Sequence, residues 1–106
     1  MSSLNTAGSI YRAIMMKKQD NVATALEDIP AGAAVQLHVD DASLTVTLCE
    51  PIEFGHKFAV RPITGGEDIL KYGEVIGMAN RVIQPGEHVH VHNLDGKRGR
   101  GDQVGA

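Results

Sequence analysis

Three of the five histidines in the chain, His88, His90 and His92, occupy alternate positions within eight residues. Successive side chains of a β-strand point to opposite faces, so these imidazoles would share one face, while Val89 and Val91 would share the other, toward the core. Neutral imidazole is the commonest protein ligand for divalent metal ions, and two histidines two residues apart can reach the same ion. The spacing therefore predicts a site for a metal ion or an anionic substrate.

A simpler alternative is that the three histidines face solvent on an edge strand and bind nothing. The third histidine is also distant from the first: at roughly 3.3 Å per residue, His92 would lie about 13 Å from His88 along an extended strand. We therefore expect His88 and His90 to share an ion, whereas His92 would need residues of other segments to join them.

The elements that must position these histidines are predicted to be strands. The chain has 106 residues, enough for one domain with a modest core. Hydrophobic residues make up 42% of it, with two Phe, two Tyr and no Trp. A core built from Val, Ile, Leu and Ala is typical of closely packed sheets, so we expect a mostly β fold.

Charge and cysteine content limit the classes of binding partner and the cellular compartment that we expect. The formal net charge of −3 provides no basic field, so neither nucleic acid nor a membrane surface is expected as a partner. The single cysteine, Cys49, cannot form an internal disulfide. The apolar run 10–16 contains Arg12 and is too short for a signal peptide or a membrane span. These features favour the cytoplasm.

Composition divides the chain into three parts. Residues 1–9 are small and polar, and we expect them to be disordered. Residues 10–94 are expected to form the domain. Residues 95–106 are rich in glycine and charge, which predicts a flexible tail because such a segment buries too little apolar surface to become ordered.

Two elements are predicted near the start of the domain. Residues 10–16 are predicted to form a first strand, and residues 21–28 a short helix. Asp20 is a residue type that caps helix N-termini, the following apolar residues have helical spacing, and Pro30 would end the helix. Everything beyond this point is predicted to be extended.

A four-residue motif, Ile-x-x-Gly, precedes four of the extended runs. It begins at Ile29, Ile52, Ile63 and Ile83. Glycine supplies the positive φ that a tight turn requires, and the isoleucine can anchor that turn in the core. The irregular spacing of the motifs indicates pseudo-repetition inside one fold rather than a solenoid.

Counting from each glycine of this motif predicts which residues share a face. The third and fifth positions are apolar in seven of eight cases, namely Val35, Leu37, Phe58, Val60, Ile69, Val89 and Val91, with Lys71 as the exception. The even positions are mostly polar. The histidines therefore share a predicted phase with Lys57, Arg61, Asp68 and Tyr72.

Several motifs together carry a resemblance to a known family. They are Asp20-Asn-Val-Ala23, Gly55-His-Lys-Phe-Ala59, Lys71-Tyr-Gly73, Ile76-Gly77 and Gly86-Glu-His-Val-His-Val-His-Asn93. In this order they resemble the small SAF-type domain of altronate and galactarate dehydratases, which is also similar to the small subunit of sulfolactate sulfo-lyase. The resemblance extends over about residues 11–94.

This resemblance implies a fold, a reaction and a partner. The fold is a β-clip of short twisted strands. The reaction is elimination from a hydroxy acid, assisted by a divalent metal such as iron(II) or manganese(II). The catalytic region of such enzymes is much larger than this chain, so the chain would be a small subunit or a single domain whose partner is a large lyase subunit or domain.

Elimination beside a carboxylate requires a base for the α-proton, a counter-charge for the enolate, and an acid for the leaving hydroxyl. On this basis we assign His88 and His90 as metal ligands, and His56, Lys57 and His92 as catalytic groups. Asn93, Lys71 and Tyr72 are assigned to substrate binding. The alternative for Lys57 and Lys71 is that they are ordinary surface lysines, and for Tyr72 that it is a packing residue.

Two other classes of function compete with an enzyme subunit. A non-catalytic SAF-type module would bind a sugar acid or assist assembly without chemistry, and a structural cap would need no clustered histidines. Metal-linked stabilisation would distinguish the enzyme component from both. The chain could also form a homo-oligomer.

Overall fold

Nine short strands make up the regular structure of residues 11–96, the part of the chain that the computed structural model describes. The predicted disordered start, 1–9, lies outside the described residues, as does the tail after residue 96. The strands are β1 (Ala13–Ile14), β2 (Val22–Ala25), β3 (Ala34–Val39), β4 (Ala42–Thr47), β5 (Lys57–Ala59), β6 (Asp68–Lys71), β7 (Glu74–Ala79), β8 (His88–Val89) and β9 (Leu94–Asp95). The predicted mostly β fold is confirmed.

The four Ile-x-x-Gly motifs form the turns predicted for them. All four isoleucines are buried. The backbone pairs Ile29 with Ile52 and Ile63 with Ile83 in isolated antiparallel bridges. The glycines of the motifs all have positive φ, between 84° and 89°, at Gly32, Gly55, Gly66 and Gly86. Each pair of motifs therefore closes the base of one hairpin, β3–β4 or β6–β7.

A central four-stranded sheet, in the order β1-β2-β5-β8, separates two hydrophobic clusters. Phe58 on one face packs with residues of the β3–β4 hairpin. Ala59 and Val89 on the other face pack with residues of β6 and β7. Because both faces of this sheet are covered, its strands are apolar at successive positions rather than at alternate ones.

This double coverage explains why the predicted helix at 21–28 is wrong. The segment forms strand β2, and all four residues of Val22–Ala25 are buried. A continuous apolar run cannot be distinguished from a buried helix by its periodicity. No helix occurs between residues 11 and 96, and hence none there is long and apolar enough to span a membrane.

Asp20 holds two turns together instead of capping a helix. Its side chain is fully buried, and its carboxylate oxygens accept hydrogen bonds from the main-chain N–H groups of Met16, Lys17, Tyr72 and Gly73. The distances range from 2.7 to 3.3 Å. A carboxylate that accepts several N–H groups needs no cation beside it. Asp20 thus fixes the end of the β6–β7 hairpin to the turn before β2.

The predicted first strand at 10–16 is shorter in the structure. Only Ala13 and Ile14 pair with β2, opposite Ala25 and Thr24.

Candidate functional site

Antiparallel pairing of β5 with β8 brings two distant histidines together. Phe58 lies opposite His88, and Lys57 lies opposite Val89. Directly opposed residues of antiparallel strands point to the same face, as do residues two apart in one strand. His56, two residues before Phe58, therefore projects on the same side as His88.

The resulting cluster contains three imidazoles, those of His56, His88 and His90. His56 Nδ1 and His88 Nε2 are 2.8 Å apart. The ring centroids of His56 and His90 are 5.0 Å apart, and those of His88 and His90 are 5.3 Å apart. One nitrogen from each residue lies within 4.8 Å of the other two. Because neutral imidazoles are metal ligands, these three side chains form a candidate site for a divalent ion.

The histidine strand is shorter than its alternating sequence predicts. Strand β8 ends at Val89, and residues 90–93 form a turn. His88 and His90 stay close, but Val91 is 77% exposed, so its predicted core position is wrong. His92 is exposed, with its ring centroid 5.5 Å from that of His88. The turn thus leaves the rings of His88 and His92 adjacent.

Asn93 maintains this turn from inside. Its side chain is fully buried, although it is polar. Its Oδ1 accepts a hydrogen bond from the main-chain N–H of His90, and its Nδ2 donates to the carbonyl oxygen of His88, both over 2.9 Å. These bonds give Asn93 a positioning role for both histidines. Direct contact of Asn93 with a substrate stays a prediction.

Two glutamates border the cluster. Glu50 Oε2 accepts a hydrogen bond from the main-chain N–H of His88 over 2.9 Å. Glu53 Oε1 lies 3.7 Å from His56 Nε2. The Glu53 carboxylate thus stands on the Nε2 side of the His56 ring, whereas Nδ1 of the same ring is the atom that faces His88.

The electrostatics of the cluster favour neutral His88. Partial burial lowers the pKa of His88 below its usual value, and the neighbouring His56 and His90 lower it further, although Glu50 acts in the opposite direction. Desolvation and like charges both disfavour the imidazolium form. A neutral ring is the form that can bind a metal ion.

Lys57 is not part of this cluster. It lies opposite Thr24 on β2 and Val89 on β8, so it belongs to the opposite face of the sheet from His56 and His88. Lys57 and His88 each stand two residues after the glycine of their motif, but the pairing of β5 with β8 places Lys57 opposite Val89 rather than opposite His88. The prediction that Lys57 shares a face with the histidines is therefore wrong. Burial lowers the pKa of Lys57, and nearby Lys71 lowers it further.

Lys71 and Tyr72 are adjacent at the end of the β6–β7 hairpin. The Lys71 ammonium lies 5.0 Å from the centroid of the Tyr72 ring. Tyr72 has a φ of 56°, in the left-handed region, and its N–H is bound by Asp20. This geometry belongs to the hairpin turn. A substrate contact by Lys71 or Tyr72 stays a prediction.

A cleft of about 520 Å³ lies beside the histidines and contains residues that the sequence analysis missed. His92 forms part of its wall, together with Cys49, Glu50, Arg81, Val82 and Glu87. The repeat offered a signal for two of them, because Glu50 and Arg81 each stand two residues before the isoleucine of a motif. The cleft therefore presents both signs of charge next to the imidazole cluster.

Comparison with known proteins identifies the family. Residues 11–97 match the model for the SAF domain of altronate/galactarate dehydratases. The chain belongs to this SAF-domain family. The resemblance inferred from the motifs is thus confirmed over nearly the whole domain.

The SAF chain is similar to parts of larger enzymes and to a small subunit. It is 45% identical over 80 residues to altronate dehydratase of Bacillus subtilis, which covers 76% of the chain and 15% of that enzyme. The altronate dehydratase of Escherichia coli is 47% identical over 74 residues, covering 70% of the chain and 14% of the enzyme. The (2R)-sulfolactate sulfo-lyase subunit alpha of Chromohalobacter salexigens is 41% identical over 58 residues, covering 55% of the chain and 62% of that subunit.

The SAF chain thus spans about one seventh of the altronate dehydratases that it matches. Its relatives are dehydratases and lyases, which places it coarsely among enzymes of that kind.

Proposed function

We propose that this chain is the SAF component of a metal-dependent lyase that eliminates water from a sugar acid of the altronate or galactarate type, or eliminates from a related hydroxy acid such as sulfolactate. The observation that carries the proposal is the convergence of His56, His88 and His90 within 4.8 Å. Family membership supports the reaction class, because the relatives of the chain are altronate dehydratases and a sulfo-lyase subunit.

The donor set suits a divalent cation such as iron(II) or manganese(II). Two nitrogens bound to one ion at about 2.1 Å lie about 3 Å apart in an octahedral shell. His56 Nδ1 and His88 Nε2, at 2.8 Å, are already near this separation. The carboxylate of Glu53 near His56 Nε2 is the kind of second partner that orients a ligating imidazole. When bound, the cation would stabilise the enolate charge and polarise the leaving hydroxyl.

The remaining roles fall to residues around the three ligands. His56 moves from the acid–base role expected from sequence to a ligand role, because its Nδ1 points at His88. His92 keeps the acid–base role, since its exposed ring is adjacent to the cluster and lines the cleft. Asn93 positions His88 and His90. Lys57 has no role at the three ligands in this proposal, because it lies on the other face of the sheet.

The partner in this proposal is a large catalytic subunit or domain. The altronate dehydratases extend far beyond the region that the chain matches. The base that removes the α-proton would come from that partner, with His92 facing it. We therefore expect the 106-residue chain alone to be inactive on hydroxy acids. Clean dehydration of altronate by the pure chain would contradict this division of the site.

The test of the metal site is a manganese(II) titration followed by electron paramagnetic resonance. Wild-type chain should bind one ion saturably, and His56→Ala, His88→Ala and His90→Ala should each weaken binding by at least about tenfold. His38→Ala is the matched control, because His38 lies on the β3–β4 hairpin outside the cluster. It should bind manganese like the wild type.

Two outcomes would reject the proposal. The first is the absence of saturable manganese or iron(II) binding by the wild-type chain. The second is equal affinity of the cluster variants and the wild type while circular dichroism shows that all are folded. Either result would favour a non-catalytic SAF module instead.

A further inference from the structure

The turn repeat places a charged residue at the same position in all four copies. This position is two residues before each motif isoleucine, and it is occupied by Glu27, Glu50, Arg61 and Arg81. Equivalent positions in a repeated turn have similar surroundings, so their side chains can be compared directly. The comparison shows which of the four charges serves the fold.

Three of the four side chains bind the main chain. Glu27 Oε2 accepts a hydrogen bond from the N–H of Arg12 over 2.6 Å, and Glu50 Oε2 accepts one from the N–H of His88 over 2.9 Å. Arg61 donates to two successive carbonyl oxygens in the turn before β2, over 2.8 and 3.2 Å. Each of these charges therefore attaches its turn to a neighbouring segment.

Arg81 is different. It has no hydrogen bond or ion pair with any residue between 11 and 96, although it lines the cleft beside His92. A guanidinium is charged at all physiological pH values and offers a planar fork of donors that matches a carboxylate. Among residues 11–96, this fork therefore has no partner, and it lines a cleft of about 520 Å³ whose wall also contains His92.

We propose that Arg81 binds the carboxylate of a hydroxylated monocarboxylic acid, with the hydroxyl-bearing part of the ligand extending along His92 toward the histidine cluster. His92 lines the cleft, and its ring centroid is 5.5 Å from that of His88, so His92 borders both the cleft and the cluster. The inference rests on the proposed function, because it supplies the substrate-anchoring group that this function requires.

The acidic residues of the cleft define the class of acid. Glu50 and Glu87 line the same cleft as Arg81. Carboxylates accept hydrogen bonds from hydroxyl groups but repel a second anionic group. A ligand with one carboxylate and several hydroxyls satisfies both signs of charge, whereas a dianion would place its second charge near the glutamates. A polyhydroxy monoacid such as altronate is therefore preferred over a diacid such as galactarate.

The experiment is a titration of zinc-loaded, ¹⁵N-labelled full chain with altronate, observing the Arg81 side-chain Nε–H resonance. We expect a saturable shift of this resonance, and at least about tenfold weaker binding in Arg81→Met. Arg81→Lys keeps the charge but loses the fork, so its affinity should be intermediate. Arg12→Met is the matched control, because the Arg12 side chain is 71% exposed and bound to Glu27. It should bind altronate like the wild type.

Two further ligands test the chemical class. Altritol, which has the hydroxyls of altronate but no carboxylate, should not shift the Arg81 Nε–H resonance. Galactarate should bind more weakly than altronate. Equal affinity of Arg81→Met and the wild type, absence of saturable altronate binding, or an unmoved Arg81 resonance at saturation would overturn the inference, and Arg81 would then be an ordinary surface arginine.

The result is separable from the test of the metal site. Loss of Arg81-dependent binding with intact manganese binding would reject this inference and retain the proposed function. In the opposite outcome, the chain binds no manganese but still binds altronate through Arg81. That result would retain this inference, reject the proposed function and indicate a non-catalytic acid-binding module.

Discussion

The side-chain amide of Asn93 donates a hydrogen bond to the main-chain carbonyl oxygen of His88, five residues earlier, over 2.9 Å. The same amide accepts the N–H of His90. A single buried side chain therefore sets the relative position of two of the three clustered histidines without being one of them.

Asn93→Ala should weaken manganese binding and destabilise the chain. The substitution removes both hydrogen-bond partners that Asn93 gives to the partly buried turn, at a cost of about 1–3 kcal/mol in unfolding free energy. Urea denaturation and manganese titration measure the two effects. Asn80→Ala is the control, because Asn80 is exposed and its Nδ2 donates a hydrogen bond to the Asp95 carboxylate, away from the histidine main chain. Wild-type manganese affinity in Asn93→Ala would show that the turn does not position the histidines.

Gly86→Ala should be much more destabilising than Gly55→Ala. Both glycines have φ near +90°, so alanine costs roughly 1–2 kcal/mol of backbone strain at either position. A Cβ at Gly86 would also collide with the carbonyl oxygen of Thr47, whereas a Cβ at Gly55 meets nothing within 4 Å. Urea denaturation of the two variants gives the comparison. Equal losses of stability would mean that the chain relaxes around Gly86.

Asp20→Ala should cost about 3 kcal/mol or more of unfolding free energy, since four main-chain N–H groups lose a charged acceptor. Asp41→Ala provides the contrast. The Asp41 side chain is 91% exposed and forms a surface ion pair with Lys18, so its loss should change stability by less than about 0.5 kcal/mol. Thermal denaturation in the same buffer measures both. A similar effect of the two substitutions would contradict the structural role of Asp20.

Metal-free chain should lose stability as the pH falls below the ordinary pKa of histidine. The pKa of His88 is lower in the folded chain than in the unfolded chain, mainly because of burial. The unfolded state therefore binds more protons as the pH falls through about 6.5, which favours unfolding. Urea denaturation in EDTA between pH 5 and 8 should show this slope, and His88→Gln should reduce it. An unchanged slope in His88→Gln would assign the effect to other groups.

Local features of the fold were accessible from sequence. The four Ile-x-x-Gly motifs, each with a buried isoleucine and a positive φ at glycine, were predicted correctly because the conformation of a tight turn depends on adjacent residues. The mostly β fold was predicted from composition, because a core of Val, Ile, Leu and Ala is typical of closely packed sheets. The helix expected at 21–28 failed because burial of β2 on both faces removes the alternation that identifies a strand.

The candidate site was only partly accessible. The alternating histidines indicated a metal or anion site, but they also predicted a longer strand and a buried Val91. Strand β8 ends at Val89, and the hydrogen bonds of Asn93 within the turn that follows are visible only in the structure. The sequence also placed Lys57 on the face of the histidines, whereas the register of β5 and β8 places it on the other face.

The sequence by itself determined where the chain turns, which residues alternate, and which family it belongs to, because these properties reside in neighbouring residues or in motifs along the chain. Only the tertiary structure decided that His56 meets His88, 32 residues away, that Lys57 lies on the other face, and that Arg81 has no partner among residues 11–96 in the cleft beside His92. The physical reason is strand register. A shift of one residue between β5 and β8 would exchange the faces of every side chain on one strand, and that register is set by contacts throughout the fold.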